Sequence, residues 1–206
     1  MILQNFIVLE GIDGAGTSTQ LKKLKEKLGT TRAFYTAEPV ETSETGKFLR
    51  RILSGEVPVH PGTAAFLFAA DRNEHLYGKD GIVQKDSEGI LCFSDRYLFS
   101  SLAYQAATCG EDLPRLLNST FPLPRILFFF KITPEVSLAR ITGRGVTEIY
   151  EKVDFLKKTE AEYEKVVASF REKADSGMTV VEIDASKSPD EVFSVIWKTL
   201  QETYGL

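Results

Sequence analysis

The sequence predicts an α/β fold, a three-layer sandwich in which helices cover both faces of a five-stranded parallel sheet. Two observations predict it: five short apolar segments alternate with stretches of helical periodicity, and a glycine-rich loop joins the first segment to the first helix. A chain of 206 residues is long enough to bury one core without disulfides or metal. We therefore predict a single domain over residues 1–206.

The strands are predicted from apolar runs. The first run, residues 6–9, is Phe-Ile-Val-Leu without interruption, which is typical of a strand buried on both faces of a parallel sheet. Four further strands are predicted at residues 33–36, 90–94, 125–131 and 179–184. Because helical patterns separate these segments, the strands are expected to run parallel.

The helices are predicted from periodic apolar residues. Leu21, Leu24 and Leu28 recur at helical spacing among charged residues, which indicates an amphipathic helix. Further helices are predicted at residues 45–53, 61–77, 98–109, 135–142 and 152–175. A last helix is expected to begin at Ser188-Pro189, where a capping hydroxyl precedes a proline that suits the first turn.

Composition excludes several classes of function. The formal net charge is −4 and no long basic run occurs, which argues against a nucleic-acid-binding surface. No apolar run reaches ~18 residues and the N-terminus has no signal pattern, so we expect a cytoplasmic protein without membrane contact. Cys92 lies in an apolar run and is expected to be a reduced core thiol, whereas His60 and His75 are too isolated to indicate a zinc site.

The loop at residues 10–20 predicts a nucleotide-phosphate site. Gly11, Gly16 and Ser18 match the pattern G-x-x-x-x-G-K-[ST], with the required strand before the loop and helix after it. The free N–H groups at the N-terminus of that helix would point at the phosphates. Thr17 stands where the pattern has lysine, the usual cationic side chain of such a loop. The alternative is a glycine-containing turn that binds nothing.

A second pattern fits a flat base. Phe68 and Arg72 are four residues apart, so they share one face of the predicted helix 61–77. An aromatic ring can stack on a base while a guanidinium donates hydrogen bonds to its carbonyl groups. The alternative is that Phe68 belongs to the core and Arg72 forms an ion pair with Asp71 or Glu74.

A third pattern, Asp95-Arg96-Tyr97, follows a predicted buried strand. Ligands of parallel α/β sheets bind outside the carboxyl ends of the strands, where the phosphate loop also lies. There Asp95 can hold Mg²⁺ or its water shell, and Arg96 can bind phosphate oxygens. Ser101, Tyr104 and Gln105 follow on a helix that would face the same pocket. The alternative is an exposed Asp-Arg turn.

Together these motifs resemble the thymidylate kinases, which transfer the γ-phosphoryl group of ATP to dTMP. The resemblance extends from residues 6–14 through Glu38-Pro39, Leu49-Arg50, residues 67–72 and 95–97 to Ile183-Asp184-Ala185. It implies the P-loop nucleoside monophosphate kinase fold, with a helical lid at about residues 140–152. It also implies ATP as co-substrate, Mg²⁺ as cofactor, a role in dTTP synthesis and a homodimer.

The resemblance assigns expected roles to individual residues. Phe68 would stack on thymine, Arg72 would bond a ring carbonyl, and Tyr104 would pack against the deoxyribose. The residues implied for ATP are Gly11, Ile12, Asp13, Gly14, Ala15, Gly16, Thr17, Ser18 and Thr19. Those implied for dTMP are Asp13, Glu38, Pro39, Arg50, Phe68, Arg72, Arg96, Ser101, Tyr104 and Gln105. The metal would be held by Ser18 and Asp95, and catalysis would depend on Asp13, Arg96, Arg140 and Arg144.

Two positions depart from the family pattern. Thr17 replaces the lysine, and Ala37 replaces the arginine of the family's usual Thr-Arg-Glu-Pro. We expect a lid arginine, Arg140 or Arg144, to neutralise the β- and γ-phosphates instead. One alternative is a non-catalytic P-loop protein that binds nucleotide. The other is a kinase for another deoxynucleotide or a deoxynucleoside, although Arg50 and Arg96 both suit an acceptor that carries a phosphate.

Overall fold

The computed structural model describes residues 1–141, 153–172 and 177–206 of the chain. Its sheet confirms the predicted fold class: five parallel strands in the order β2-β3-β1-β4-β5. The strands are β1 (Ile2–Gly11), β2 (Ala33–Ala37), β3 (Leu91–Asp95), β4 (Leu123–Lys131) and β5 (Thr179–Asp184). Every predicted strand is present, and β1 is longer than its apolar run at both ends.

Helices lie on both sides of this sheet. They are α1 (Thr17–Leu28), α2 (Glu44–Leu53), α3 (Pro61–Tyr77), α4 (Ile82–Ser87), α5 (Leu98–Ser100), α6 (Ala106–Cys109), α7 (Asp112–Asn118), α8 (Pro134–Ile141), α9 (Val153–Arg171) and α10 (Pro189–Tyr204). A π-helical turn, Ser101–Gln105, connects α5 to α6, so helical structure is continuous over the predicted range 98–109. The short helices α4 and α7 were not predicted, because six or seven residues are too few to establish a period.

The core explains why the apolar runs form strands. Residues 6–9 of β1 are completely buried, and residues 126–130 of β4 are almost as inaccessible. Cys92 of β3 is part of the same core, as predicted, and burial raises the pKa of its thiol to about 12. Such a thiol is unreactive at neutral pH.

The last helix begins as its sequence predicts. Ser188 caps α10: its hydroxyl accepts a hydrogen bond from the Glu191 N–H, and the Glu191 side chain accepts from the Ser188 N–H at 3.0 Å. Pro189 occupies the first turn, where no intrahelical N–H is needed. This reciprocal cap fixes the helix that packs against α1.

Strand register brings the three candidate motifs to one edge of the sheet. Asp95 at the end of β3 pairs with Leu9 of β1 on one side and with Ala37 of β2 on the other. The carboxyl ends of β1, β2 and β3 therefore lie side by side at one edge of the sheet. The phosphate loop, the Glu38-Pro39 segment and Arg96 meet there.

The described parts of the chain contain no helix long and apolar enough to cross a membrane.

Candidate functional site

A cavity of about 340 Å³ opens at this edge of the sheet. It lies between the phosphate loop, the segment after β2, helices α2 and α3, the end of β3 and the π-helical turn. Every residue predicted for the acceptor lines it: Asp13, Glu38, Pro39, Arg50, Phe68, Arg72, Arg96, Ser101, Tyr104 and Gln105. The structure thus brings together side chains that are up to 92 positions apart in the sequence (13 to 105).

The phosphate loop forms the floor of the cavity. Asp13, Gly14 and residues 16–19 line it, whereas Gly11, Ile12 and Ala15 pack inward. Gly16 has φ +97° and precedes the first residue of α1, so the free N–H groups of that helix face the cavity. Gly14 is required for two reasons: its φ is +80°, and a Cβ there would lie 2.7 Å from the Ser137 carbonyl oxygen.

Helix α8 fixes the loop from outside. The Ser137 hydroxyl donates a hydrogen bond to the carbonyl oxygen of Asp13. Arg140, near the end of α8, places Nη1 3.5 Å from the carbonyl oxygen of Gly14. One predicted lid arginine therefore lies beside the loop that lacks the lysine. Arg144, with residues 142–152 of the predicted lid, lies outside the described residues.

Ser18 and Asp95 meet at the mouth of the loop. The Ser18 hydroxyl donates to Asp95 Oδ2 at 2.5 Å. Asp95 Oδ1 is buried and has no hydrogen-bond partner in the part of the chain that the structure describes. An unsatisfied carboxylate oxygen beside a hydroxyl at a phosphate loop fits Mg²⁺, which proteins bind through one or two such ligands and the substrate phosphates. The described residues contain no larger cluster of metal-binding side chains.

Asp13, Arg96 and Tyr104 form a charged cluster on the cavity wall. Arg96 Nη2 lies 2.5 Å from Asp13 Oδ1, and the Tyr104 hydroxyl donates to Asp13 Oδ2 at 2.9 Å. The guanidinium also lies 5.2 Å from the centre of the Tyr104 ring. Burial, together with Asp13, raises the pKa of Tyr104 well above its ordinary value, so the phenol keeps its proton. The cluster therefore holds the Arg96 guanidinium at a fixed place on the cavity wall, with Asp13 balancing its charge.

Arg96 has a left-handed backbone conformation, with φ +76°. Such a conformation costs about 1–3 kcal/mol in a residue other than glycine. It turns the side chain back over β1, where Nη1 donates to the Gly11 carbonyl oxygen at 3.1 Å. Only about a fifth of the side chain is exposed, so the alternative of an exposed Asp-Arg turn is wrong.

A buried carboxyl lies beneath Arg96. Glu10 Oε1 accepts from the N–H groups of Tyr97 and Ser100, and Oε2 accepts from the hydroxyls of Ser100 and Tyr163. Burial raises the pKa of Glu10 to about 7, although Arg96 and these hydrogen bonds act in the opposite direction. Glu10 thereby connects β1, the Arg96 turn and α9 in one network.

Replacing this carboxyl, Glu10→Gln, is expected to remove a pH dependence of stability. The native carboxyl binds its proton more tightly than the unfolded chain does, so its contribution to the unfolding free energy of the wild type falls as pH rises. With a pKa of about 7 against 4.5, the loss is about 3 kcal/mol between pH ~4.5 and pH ~7. Glutamine does not titrate, and its amide can donate to the hydroxyls of Ser100 and Tyr163. Urea unfolding across this range measures the effect, and equal pH slopes in both proteins would contradict it.

Arg72 is buried with its partners rather than paired along its helix. Its Nε lies 2.9 Å and its Nη2 2.7 Å from Glu38 Oε2, so the predicted alternative of a pair with Asp71 or Glu74 is wrong. Asp71 instead accepts hydrogen bonds from the segment after β2, including the Val40 N–H at 2.9 Å. Phe68 is partly exposed and lines the cavity, so it does not belong to the core either.

Several members of the site were missed by sequence reasoning. Asn118 accepts a hydrogen bond from Arg72 Nη1, but it lies on the unpredicted helix α7, and no sequence signal points to it. Tyr163 lies on α9 among buried apolar residues, and nothing in its sequence context indicates that its hydroxyl donates to Glu10. Glu10 directly follows the apolar run 6–9, where a carboxyl is ordinarily expected to be exposed, so its burial could not be predicted from the sequence.

A phosphate loop at the start of a helix, with an arginine-lined cavity beside it, defines a P-loop phosphotransferase. The comparison with known proteins specifies the class further. The family model described as Thymidylate kinase matches residues 9–196, and the chain belongs to that family. It is therefore a kinase.

Relatives match most of the chain. A protein of Treponema pallidum named "Putative thymidylate kinase" is 40% identical over 203 residues, which covers 98% of this chain and 97% of the relative. A "Probable thymidylate kinase" of Methanocaldococcus jannaschii is 42% identical over 165 residues, which covers 79% of this chain and 81% of the relative. A "Thymidylate kinase" of Leptospira borgpetersenii is 33% identical, with coverage of 91% and 88%.

Proposed function

We propose that this protein phosphorylates dTMP to dTDP with ATP and Mg²⁺, and so contributes to the formation of dTTP. The observation that carries the proposal is the single cavity in which the predicted acceptor residues adjoin the phosphate loop. The family and the names of its relatives agree with this acceptor.

The polar groups of the cavity support a pyrimidine as the base. Phe68 offers a partly exposed ring for stacking. Arg72 has five N–H groups but only three side-chain partners, Glu38, Asn118 and Ser101, among the described residues, so at least one N–H is left for a ring carbonyl. Gln105 Oε1 is a buried acceptor without a partner in the same residues, which the N–H of a thymine ring would satisfy.

Charge and positioning account for the proposed reaction. Phosphoryl transfer between two anions needs alignment and charge neutralisation rather than a covalent intermediate. Arg50 and Arg96 both line the cavity and suit the acceptor phosphate, and Asp13 holds Arg96 in place. The N–H groups of the phosphate loop and the Ser18 hydroxyl would bind the ATP phosphates and the metal. The bound metal supplies charge neutralisation.

Other features of the family are proposed with the reaction. A homodimer is consistent with the exposed Phe66 and Tyr77 on α3, whose side chains a partner could cover. We also propose a single catalytic domain and a cytoplasmic location.

The acceptor is tested by comparing dTMP, dUMP, dCMP and thymidine in a coupled assay of ADP release, with an acceptor-free reaction as the control. We expect dTMP to have the highest kcat/KM. Thymidine should be the poorest acceptor, because it brings no phosphate for Arg50 and Arg96 to bind. Faster turnover of thymidine or dCMP than of dTMP would overturn the proposed acceptor, and no turnover of any of them would overturn the proposed reaction.

A further inference from the structure

A chain of buried hydrogen bonds extends from the sheet to the cavity. Thr36 Oγ1 of β2 lies 2.8 Å from His75 Nε2, and His75 Nδ1 lies 3.1 Å from Glu38 Oε1. Glu38 then binds Arg72 through its other oxygen. His75, Glu38 and Arg72 are all buried, but only Glu38 and Arg72 line the cavity. His75 therefore lies behind the proposed base site without reaching it.

The two oxygens of Glu38 are divided between two partners. An arginine and a carboxylate usually pair through two parallel bonds, one to each oxygen. Here Nε and Nη2 of Arg72 both approach Oε2, at 2.9 Å and 2.7 Å, while Oε1 is turned to His75. His75 thus holds one oxygen of the Glu38 carboxylate, and both Arg72 contacts fall on the other oxygen.

The direction of the hydrogen bonds is determined by chemistry. A carboxylate can only accept, so Nδ1 of His75 donates to Glu38. The Thr36 hydroxyl lies 2.8 Å from Nε2 and can donate to it when the ring proton is on Nδ1. This hydrogen bond suits the form of the histidine that can hold Glu38.

We propose that His75 is a positioning residue for the nucleobase: through Glu38 it orients Arg72 toward a ring carbonyl of the acceptor. The inference rests on the proposed function, because it takes the acceptor to be a pyrimidine nucleotide. If His75 were absent, Glu38 could rotate to pair with Arg72 through both oxygens, and the guanidinium would follow. The other contacts of Arg72 are one hydrogen bond each to Asn118 and Ser101 and the rings of Tyr97 and Phe121, at 5.4 Å and 5.8 Å from the guanidinium.

Two variants separate positioning from packing. In His75→Asn the side-chain amide can take the place of Nδ1 and donate to Glu38, whereas in His75→Gln the amide reaches toward Thr36 instead. We expect His75→Gln to raise KM for dTMP about tenfold, the lower range for a lost hydrogen bond to a charged group. His75→Asn should stay within about threefold of the wild type. kcat and KM for ATP should not change in either variant. Arg72→Ala, which removes the guanidinium itself, gives the largest rise in KM for dTMP that the histidine variants can reach.

The outcomes distinguish this proposal from the proposed function. If the wild-type protein does not turn over dTMP, the proposed function is wrong, and the inference fails with it. Wild-type turnover with equal KM for dTMP in the two histidine variants would overturn the inference alone. Equal rises in KM for dTMP and ATP would do the same, since they indicate a general structural defect. If neither variant folds, Thr36→Val takes their place: it keeps the side-chain volume, and an unchanged KM for dTMP would overturn the inference.

Discussion

Arg96→Met is expected to lower kcat/KM for dTMP by at least about 100-fold. A fixed cation aimed at developing charge contributes that much when it is removed from an active site. A second effect lowers kcat/KM further. Without the Arg96 guanidinium, which lies 2.5 Å from Asp13, the Asp13 carboxylate would be left without its cation beside the acceptor phosphate. Steady-state kinetics in the coupled assay measures the change, and circular dichroism establishes that the variant is folded.

Two controls define what the guanidinium contributes. Arg96→Lys keeps the charge but cannot contact Asp13 and the Gly11 carbonyl oxygen together, so its activity should lie between those of Met and wild type. Arg115→Met removes an exposed arginine that pairs with Glu111 one helical turn away, and activity should be unchanged. A kcat/KM for Arg96→Met within tenfold of the wild-type value would contradict the role given to Arg96.

The second large effect is expected at the loop that lacks lysine. Arg140→Ala or Arg144→Ala should lower kcat roughly ten- to two-hundred-fold. A charge-assisted bond to phosphate contributes about 1.5–3 kcal/mol, and ~1.4 kcal/mol corresponds to a factor of ten in rate. Arg140 already lies beside the loop, with Nη1 3.5 Å from the Gly14 carbonyl oxygen, while Thr17 supplies no charge. The redistribution of charge from loop to lid is our proposal for how this kinase works.

A double-mutant cycle tests the redistribution directly. Introducing the lysine by Thr17→Lys should reduce the loss caused by each arginine variant, because the two cations would then share one task. Arg171→Ala, which removes an exposed arginine paired with Glu182, is the matched control and should have little effect in either background. If Arg140→Ala lowers kcat equally with threonine and with lysine at position 17, the two side chains act independently, which contradicts the proposed redistribution. The same applies to Arg144→Ala.

The strands could be predicted because burial on both faces leaves a direct mark on sequence. An unbroken apolar run such as residues 6–9 is typical of a buried parallel strand, and the glycine pattern after it identifies the loop. Helix α3 was predicted at its observed bounds, since Pro61 suits a first turn and apolar residues recur along its seventeen residues. Helix α7 has seven residues with Pro114 among them, which leaves no period to detect.

The partners within the site could not be predicted in the same way. Spacing put Phe68 and Arg72 on one face of a helix, and both line the cavity. Yet the carboxylate that pairs with Arg72 is Glu38, thirty-four positions away, because strand β2 ends beside α3. In the sequence His75 is an isolated histidine, whereas its neighbours in the structure come from β2 and the segment after it. Pairs of this kind follow from topology, which local spacing does not contain.

The π-helical turn at Ser101–Gln105 makes the length of this segment as important as its residues. A π turn holds one residue more than an α turn. It separates Ser100, which contacts Glu10, from Tyr104, which contacts Asp13. Deleting one residue would restore regular α-helical bonding and rotate one contact by about 100° relative to the other. A one-residue gap here in a related sequence would therefore mark a kinase with a differently shaped acceptor site, even if every other motif were identical.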